Sequence, residues 1–202
     1  MTYDGTVFQG LQLSDMSNDE LTAANQHLRI ISALYGYLQP SDCIRPYRLE
    51  MNAKLQFKSF SNLYEYWKPK LSQAINQEAQ SSPLTLVNLC SNEYWKAIDT
   101  SSLPPNIQIM ECVFKDNGRI IAVHAKRARG LMARHLLQQL SSRHDPTAIV
   151  QHIKAFQSEG YKYDEKASSS SQLVFHRMGR VTAPVEETKE SNGPLKKKPR
   201  AK

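Results

Sequence analysis

The string His124-Ala-Lys126-Arg127-Ala-Arg129-Gly130-Leu-Met-Ala-Arg134-His135 sets four permanent cations within nine residues, with no acid among them. On a helix at ~100° per residue, Lys126, Gly130, Arg134 and Arg127 share an arc of about 100°, and Arg129 lies about 60° beyond its near edge. Such a face suits phosphate, because a guanidinium offers two parallel hydrogen bonds to its oxygens. Gly130 is the informative member. Glycine inside a helix costs roughly 1 kcal/mol against alanine, so its missing Cβ serves either the approach of a phosphate oxygen or the packing of another backbone. Spacing alone leaves both open, along with a plain solvated basic face.

A second group, Arg45-Pro46-Tyr47-Arg48-Leu49-Glu50, has a proline stiffening the chain between two arginines and a tyrosine that offers a stacking face. Glu50 equally suits a structural ion pair with Arg48. Third, Asn88, Ser91, Asn92 and Glu93 follow an apolar run, where open sheets place binding groups. Glu93 fits a general acid or base, and also a helix-start residue favoured by the dipole. Ser158-Glu159-Gly160-Tyr161 joins a carboxylate, a flexible point and an aromatic, which a turn explains as well.

Other chemistry has less support. The histidines form no ligand-spaced pair with Cys, Asp or Glu, so no metal is expected. There is no Gly-rich phosphate loop, nucleophile elbow or cysteine signature, and no cofactor is expected. Cys43, Cys90 and Cys112 are an odd number without Cys-x-x-Cys spacing, which fits a reducing compartment. Cys90 reads as a buried thiol at a strand end.

The elements that position these groups can be read from periodicity. Ser17 to Glu20 offers capping residues before Leu21, Ala24, Leu28, Ile31 and Leu34, whose three- and four-residue intervals predict a helix running to about Gly36. Leu63 to Ile75 predicts another, kinked or interrupted at Pro69. Leu84 to Leu89 predicts a buried strand, followed by a brief helix over Tyr94 to Ile98. Asn117-Gly118 between apolar segments predicts a hairpin joining Ile107–Phe114 to Arg119–His124. Helices are expected over 125–140 and 146–156, and a last strand over Gln172–Arg177. Met1 to Leu13 shows no clear period and reads as the middle of something. Without a repeated βαβ rhythm, the fold class is α+β: one mixed sheet with flanking helices.

At 202 residues the chain fits one domain, 1–180, plus a tail, 181–202. Of the formal net charge of +7, the tail carries about +3 and the body about +4, so what matters is where the cations cluster. The tail is rich in Glu, Lys, Pro, Ser and Gly and is expected to be disordered. Its Lys196-Lys-Lys-Pro-Arg200 string suits nuclear import, a nucleic-acid arm or simple solvation. No run reaches the ~18 apolar residues of a membrane span, and no signal peptide stands at the start. A soluble, cytoplasmic protein is expected, nuclear if the basic string is an import signal.

Several strings are similar to the YaaA family of peroxide-stress proteins. They are Tyr3-Asp-Gly-Thr-Val-Phe-Gln-Gly-Leu11, Gln26-His-Leu-Arg-Ile-Ile-Ser-Ala-Leu-Tyr-Gly36, Arg45-Pro-Tyr-Arg-Leu-Glu-Met51, Asn88-Leu-Cys-Ser-Asn-Glu-Tyr94, Ala125-Lys-Arg-Ala-Arg-Gly-Leu-Met132, Phe156-Gln-Ser-Glu-Gly-Tyr161 and Gln172-Leu-Val-Phe175. The resemblance implies a mixed α/β fold with a basic cleft, binding of DNA and a role in limiting oxidative DNA damage. It names no reaction. It matches Arg45, Arg48, Lys126, Arg127 and Arg129 to basic family positions, and Asn88, Glu93 and Glu159 to polar ones. Family members usually begin with a Ser-Pro-Ala-Lys-Thr-Leu segment and carry helices with a helix-hairpin-helix unit ahead of the strings seen here, so an N-terminally shortened chain is expected.

Two functions follow as expectations. One is a DNA-binding protein of the hydroperoxide response, contacting duplex or structured DNA with low sequence specificity through Arg45, Tyr47, Arg48, Lys126, Arg127, Arg129, Gly130 and Arg134. The other is an enzyme acting on a nucleotide or nucleic acid with Glu93 or Glu159 as proton shuttle. A third possibility is an interaction module or remnant that has lost activity.

Overall fold

The computed structural model describes residues 3–80, 83–142 and 148–179. The expected tail, its basic string and the expected helix start at Pro146 lie outside these residues. In chain order the elements are α1 (Thr6–Leu11), α2 (Asn18–His27), β1 (Ile30–Ser32), β2 (Gly36–Leu38), α3 (Leu63–Glu78), β3 (Leu84–Asn88), α4 (Asn92–Trp95), β4 (Ile107–Asp116), α5 (Ala122–Ser141), α6 (Ile149–Lys154), β5 (Lys162–Asp164) and β6 (Gln172–Arg177).

The main sheet has the order β3-β4-β6-β5, parallel except for the antiparallel β5–β6 pair. The mixed α+β architecture read from the sequence is therefore the observed one. Period-two alternation along β4 splits the core. Met110, Cys112 and Phe114 face α5 and α6 and meet Phe156, Tyr161, Leu173 and Phe175. Ile107 and Ile109 face the other way, toward α3, Met51 and Ala97.

Two local expectations change. The helix expected to reach Gly36 stops at His27, where Leu28 turns extended (φ −91°, ψ 135°) and the Arg29 guanidinium donates to the Asn25 and Leu28 carbonyls. Ile30 and Ile31, whose branched Cβ favours extended chain, enter β1, which pairs with β2. The Asn117-Gly118 turn forms as expected, with φ of 46° and 80°, and Asp116 and Arg119 exchange two backbone hydrogen bonds. No returning strand follows, because β4 already has β3 on one side and β6 on the other. The turn delivers the chain into α5 instead. At Pro69, α3 continues without interruption.

The stretch without a period, Thr6–Leu11, forms α1 and crosses α5 at a pair of glycines. A Cβ on Gly130 would stand 1.9 Å from the Val7 carbonyl oxygen, and one on Gly10 2.4 Å from that of Arg127. Gly130 therefore packs against backbone, and the close approach of a phosphate oxygen at this point is blocked by α1. Behind the crossing, Leu11, Leu13, Met16, Ala24, Ala133 and Leu137 form a third apolar cluster.

This contact decides the sign of a substitution. Helix propensity alone would have Gly130→Ala stabilise α5 by ~1 kcal/mol, but forcing two backbones apart costs about 1–3 kcal/mol or more. Thermal melts are expected to show a lower Tm for the alanine variant, whereas a gain would mean that the crossing is loose.

Candidate nucleic-acid interface

The cations of α5 have separate fates. Arg134 Nη1 donates to the carbonyls of Gln12 (2.8 Å) and Leu11 (3.3 Å), closing the C-terminal end of α1. Arg127 Nε and Nη2 both lie 2.7 Å from Glu159 Oε1, so this guanidinium already has a carboxylate. Lys126 is exposed. Arg129 lies half-buried, within the field of Cys90, Glu111 and Cys112, and burial pulls its pKa below the ordinary arginine value. Among the described residues no carboxylate is in ion-pair contact with it. A guanidinium stays charged even so, and half-buried charge without a partner favours an anion that would supply one.

Glu159 belongs to a network that the sequence did not reveal. It adopts a left-handed backbone (φ 49°), accepts Arg127, and meets Arg177 through both its backbone carbonyl and its carboxylate. Arg177 Nε also donates to Asp116 Oδ1, while the buried Tyr161 hydroxyl donates to Asp116 Oδ2 at 2.7 Å. His124 Nδ1 stands 3.4 Å from Asp116 Oδ1. Burial pushes the Asp116 carboxyl upward, but the hydrogen bonds from Tyr161 and Arg177 and the Arg177 charge outweigh it and hold the pKa below the usual carboxylate range. Asp116 directly precedes the Asn117-Gly118 turn and Arg177 ends the strand expected over Gln172–Arg177. Their partnership spans 61 residues and has no local signature.

Arg45 and Arg48 are both exposed, and the Arg45 amide donates to Tyr35 Oη at 3.2 Å. Tyr47 between them points inward. Its hydroxyl lies 2.6 Å from Ser32 Oγ and 3.0 Å from Tyr3 Oη, and its ring makes edge contacts with Tyr3 and Tyr35. The stacking face expected of Tyr47 is thus turned to internal packing. Tyr3 in turn stacks on Phe8 of α1. The Arg45–Arg48 segment is therefore anchored, through Tyr47, Tyr3 and α1, to the helix that carries Lys126 and Arg129.

The polar candidates do not converge on one base. Asn88 is buried at the end of β3 and accepts the Cys90 amide at 3.0 Å. It lines an open cleft of about 540 Å³ with Trp95, Ile109, Glu111, Ser169, Ser171 and Gln172. Glu93 accepts the Asn52 amide at 3.3 Å, far from an isolated proton shuttle, and Glu159 is held by two arginines. No group of three or more His, Cys, Asp or Glu among the described residues is arranged to hold a metal. Burial pushes the Cys90 thiol up to about 11 and the Cys112 thiol up to about 12. Cys43 is exposed.

Two outcomes follow. Tyr161→Phe is expected to cost roughly 1.5–3 kcal/mol at neutral pH, the worth of a hydrogen bond to a charged group. Because the Asp116 pKa is depressed in the folded state, this contribution is present above the unfolded value of ~3.9 and is lost as pH falls through the folded value. Urea denaturation at several pH values checks both the size and the direction. For the thiols, native protein treated with a thiol-specific reagent at neutral pH should label first at Cys43, more slowly at the half-buried Cys90, and at Cys112 only after unfolding; peptide mapping distinguishes the sites.

The comparisons with known proteins point one way. The family described as peroxide stress protein YaaA matches residues 1–167. A UPF0246 protein of Bordetella pertussis is 41% identical over 182 residues, covering 88% of this chain and 68% of that protein. Those of Delftia acidovorans and Verminephrobacter eiseniae are 40% and 42% identical over 184 and 182 residues, again over 88% of this chain and 67% of each relative. With the match running from the α1 segment through the Arg45–Arg48 string and α5 to the Glu159 network, the chain belongs to the YaaA peroxide stress protein family.

Proposed function

We propose that this protein binds DNA through its phosphates as part of the peroxide stress response, with Arg45, Arg48, Lys126 and Arg129 making the contacts. The observation that carries this reading is the half-buried Arg129 guanidinium, charged and without a carboxylate in contact among the described residues. Arg45, Arg48 and Lys126 add exposed charge on segments tied to the same helix. Arg127 and Arg134 support the surface indirectly, one by fixing Glu159 and the other by closing α1. Tyr47 and Gly130 set the positions of the segments and touch no ligand. Contacts of this type read the backbone and carry little sequence information.

The test is duplex binding across a salt series. The observed affinity should fall linearly on a log–log plot, and replacing both Arg45 and Arg48 by alanine should flatten the slope by about 1.8, at ~0.9 for each phosphate no longer neutralised. Arg129→Ala should weaken binding about tenfold, the scale of one charge-assisted hydrogen bond. Binding that ignores salt, or that survives all three substitutions, would overturn the reading.

A further inference from the structure

A second surface joins aromatic rings to lysines and lies outside every motif above. Phe57 and Phe60 exchange backbone hydrogen bonds (3.1 and 2.9 Å) across a tight turn whose tip residue, Lys58, has φ 54°. A lysine in the left-handed region costs roughly 1–2 kcal/mol, and strain of this sort collects where a side chain is needed in one place. The turn sets both rings against Tyr66 of α3, with centroid separations of 5.6 and 5.2 Å and nearly perpendicular planes. Phe57 remains 41% exposed.

Two ammonium groups sit on these rings. Lys70 Nζ is 3.9 Å from the Tyr66 centroid and 5.6 Å from that of Phe60, and Lys58 Nζ is 5.3 Å from that of Phe57. The neighbouring acid, Glu65, is engaged by the Ser61 amide and the Asn62 side chain at the start of α3. The patch therefore offers flat π faces beside positive charge, the combination that seats unpaired bases while neutralising their phosphates. A free cation is disfavoured, since it would meet the like charge of Lys58 and Lys70. A duplex hides its base faces and cannot use the rings.

The patch is also tied through packing to the basic segment. Trp67 contacts Tyr66 edge-on at 4.8 Å and donates from Nε1 to the Ala33 carbonyl at 2.8 Å. Its ring fills the space where Gly36 lacks a Cβ, beneath the β1–β2 turn that presents Tyr35 to Arg45.

We infer that Phe57, Phe60 and Tyr66, with Lys58 and Lys70, form a stacking platform for unpaired nucleotides, distinct from the phosphate contacts of Arg45 and Arg48. The identity of the ligand rests on the nucleic-acid reading above. The experiment measures binding of the full chain to a labelled oligothymidylate of about 12 nucleotides and to a duplex of about 20 base pairs. Phe57→Ala should lower affinity for the single strand about tenfold, since a base stacked on an aromatic ring is worth ~1–3 kcal/mol, and should leave the duplex unchanged. Phe57→Tyr should restore it, and Lys58→Ala should flatten the single-strand salt slope by ~0.7.

The outcomes separate the two proposals. Duplex binding with a single-strand affinity indifferent to Phe57 overturns the platform alone. Single-strand binding that depends on Phe57, without duplex binding, keeps the platform and rejects the duplex reading. If neither DNA binds, both fail. An equal loss on both DNAs in Phe57→Ala, or competition by polyglutamate as effective as by unlabelled oligothymidylate, also overturns the platform, the ring then serving the fold or the lysines acting by charge alone.

Discussion

The contact between α1 and α5 at Gly10 and Gly130 sets how the basic helix and the Arg45–Arg48 segment are held together. Two backbones can approach this closely only where neither bears a Cβ, and here both positions are glycine. The crossing fixes α1, and α1 carries Phe8 against Tyr3, which holds Tyr47 between Arg45 and Arg48. Arg134 reinforces the arrangement by donating to the Leu11 and Gln12 carbonyls at the end of α1. The basic helix thus uses two arginines, Arg127 and Arg134, and one glycine as structure, and leaves Lys126 and Arg129 without a carboxylate in contact among the described residues.

A second constraint acts at the far end of β4. Asp116 is 5% exposed and stays ionised because Tyr161 and Arg177 satisfy both of its oxygens. Arg177 bridges from Asp116 to Glu159, and Glu159 holds Arg127. A buried carboxylate satisfied in this way is costly to disturb, so the start of α5 and the turn before β5 are tied to the same strand end. The network neutralises its own charge, and Lys126, Arg129, Arg45 and Arg48 stand outside its ion pairs.

The chemistry of the thiols is informative in a family named for peroxide stress. Reaction with peroxide requires thiolate, which positive surroundings or a helix start would favour. Cys90 and Cys112 sit instead where burial raises their pKa to about 11 and about 12. Arg129 lowers both, yet desolvation outweighs it. Cys112 is a core side chain, and the half-buried Cys90 is held as the thiol.

Much of this was legible in the sequence, because it depends on short-range preferences. Cap residues and apolar spacing marked the start of α2, apolar spacing marked α3, an apolar run marked β3, Gln172–Arg177 emerged as β6, and the Asn-Gly turn took its expected conformation. The crowding of cations between Lys126 and Arg134 was equally plain. What each cation does was not. Whether Gly130 receives a phosphate or a backbone, whether Arg127 is free or paired, and where the chain goes after Asn117-Gly118 depend on segments up to 123 residues apart. Only packing brings α1 to Gly130, Glu159 to Arg127 and β6 to the edge of β4 that a hairpin would have used. Local sequence determined the elements and their charge; tertiary contact decided which charges are satisfied within the fold and which still face outward, because pairing and exclusion act between surfaces that no local window contains.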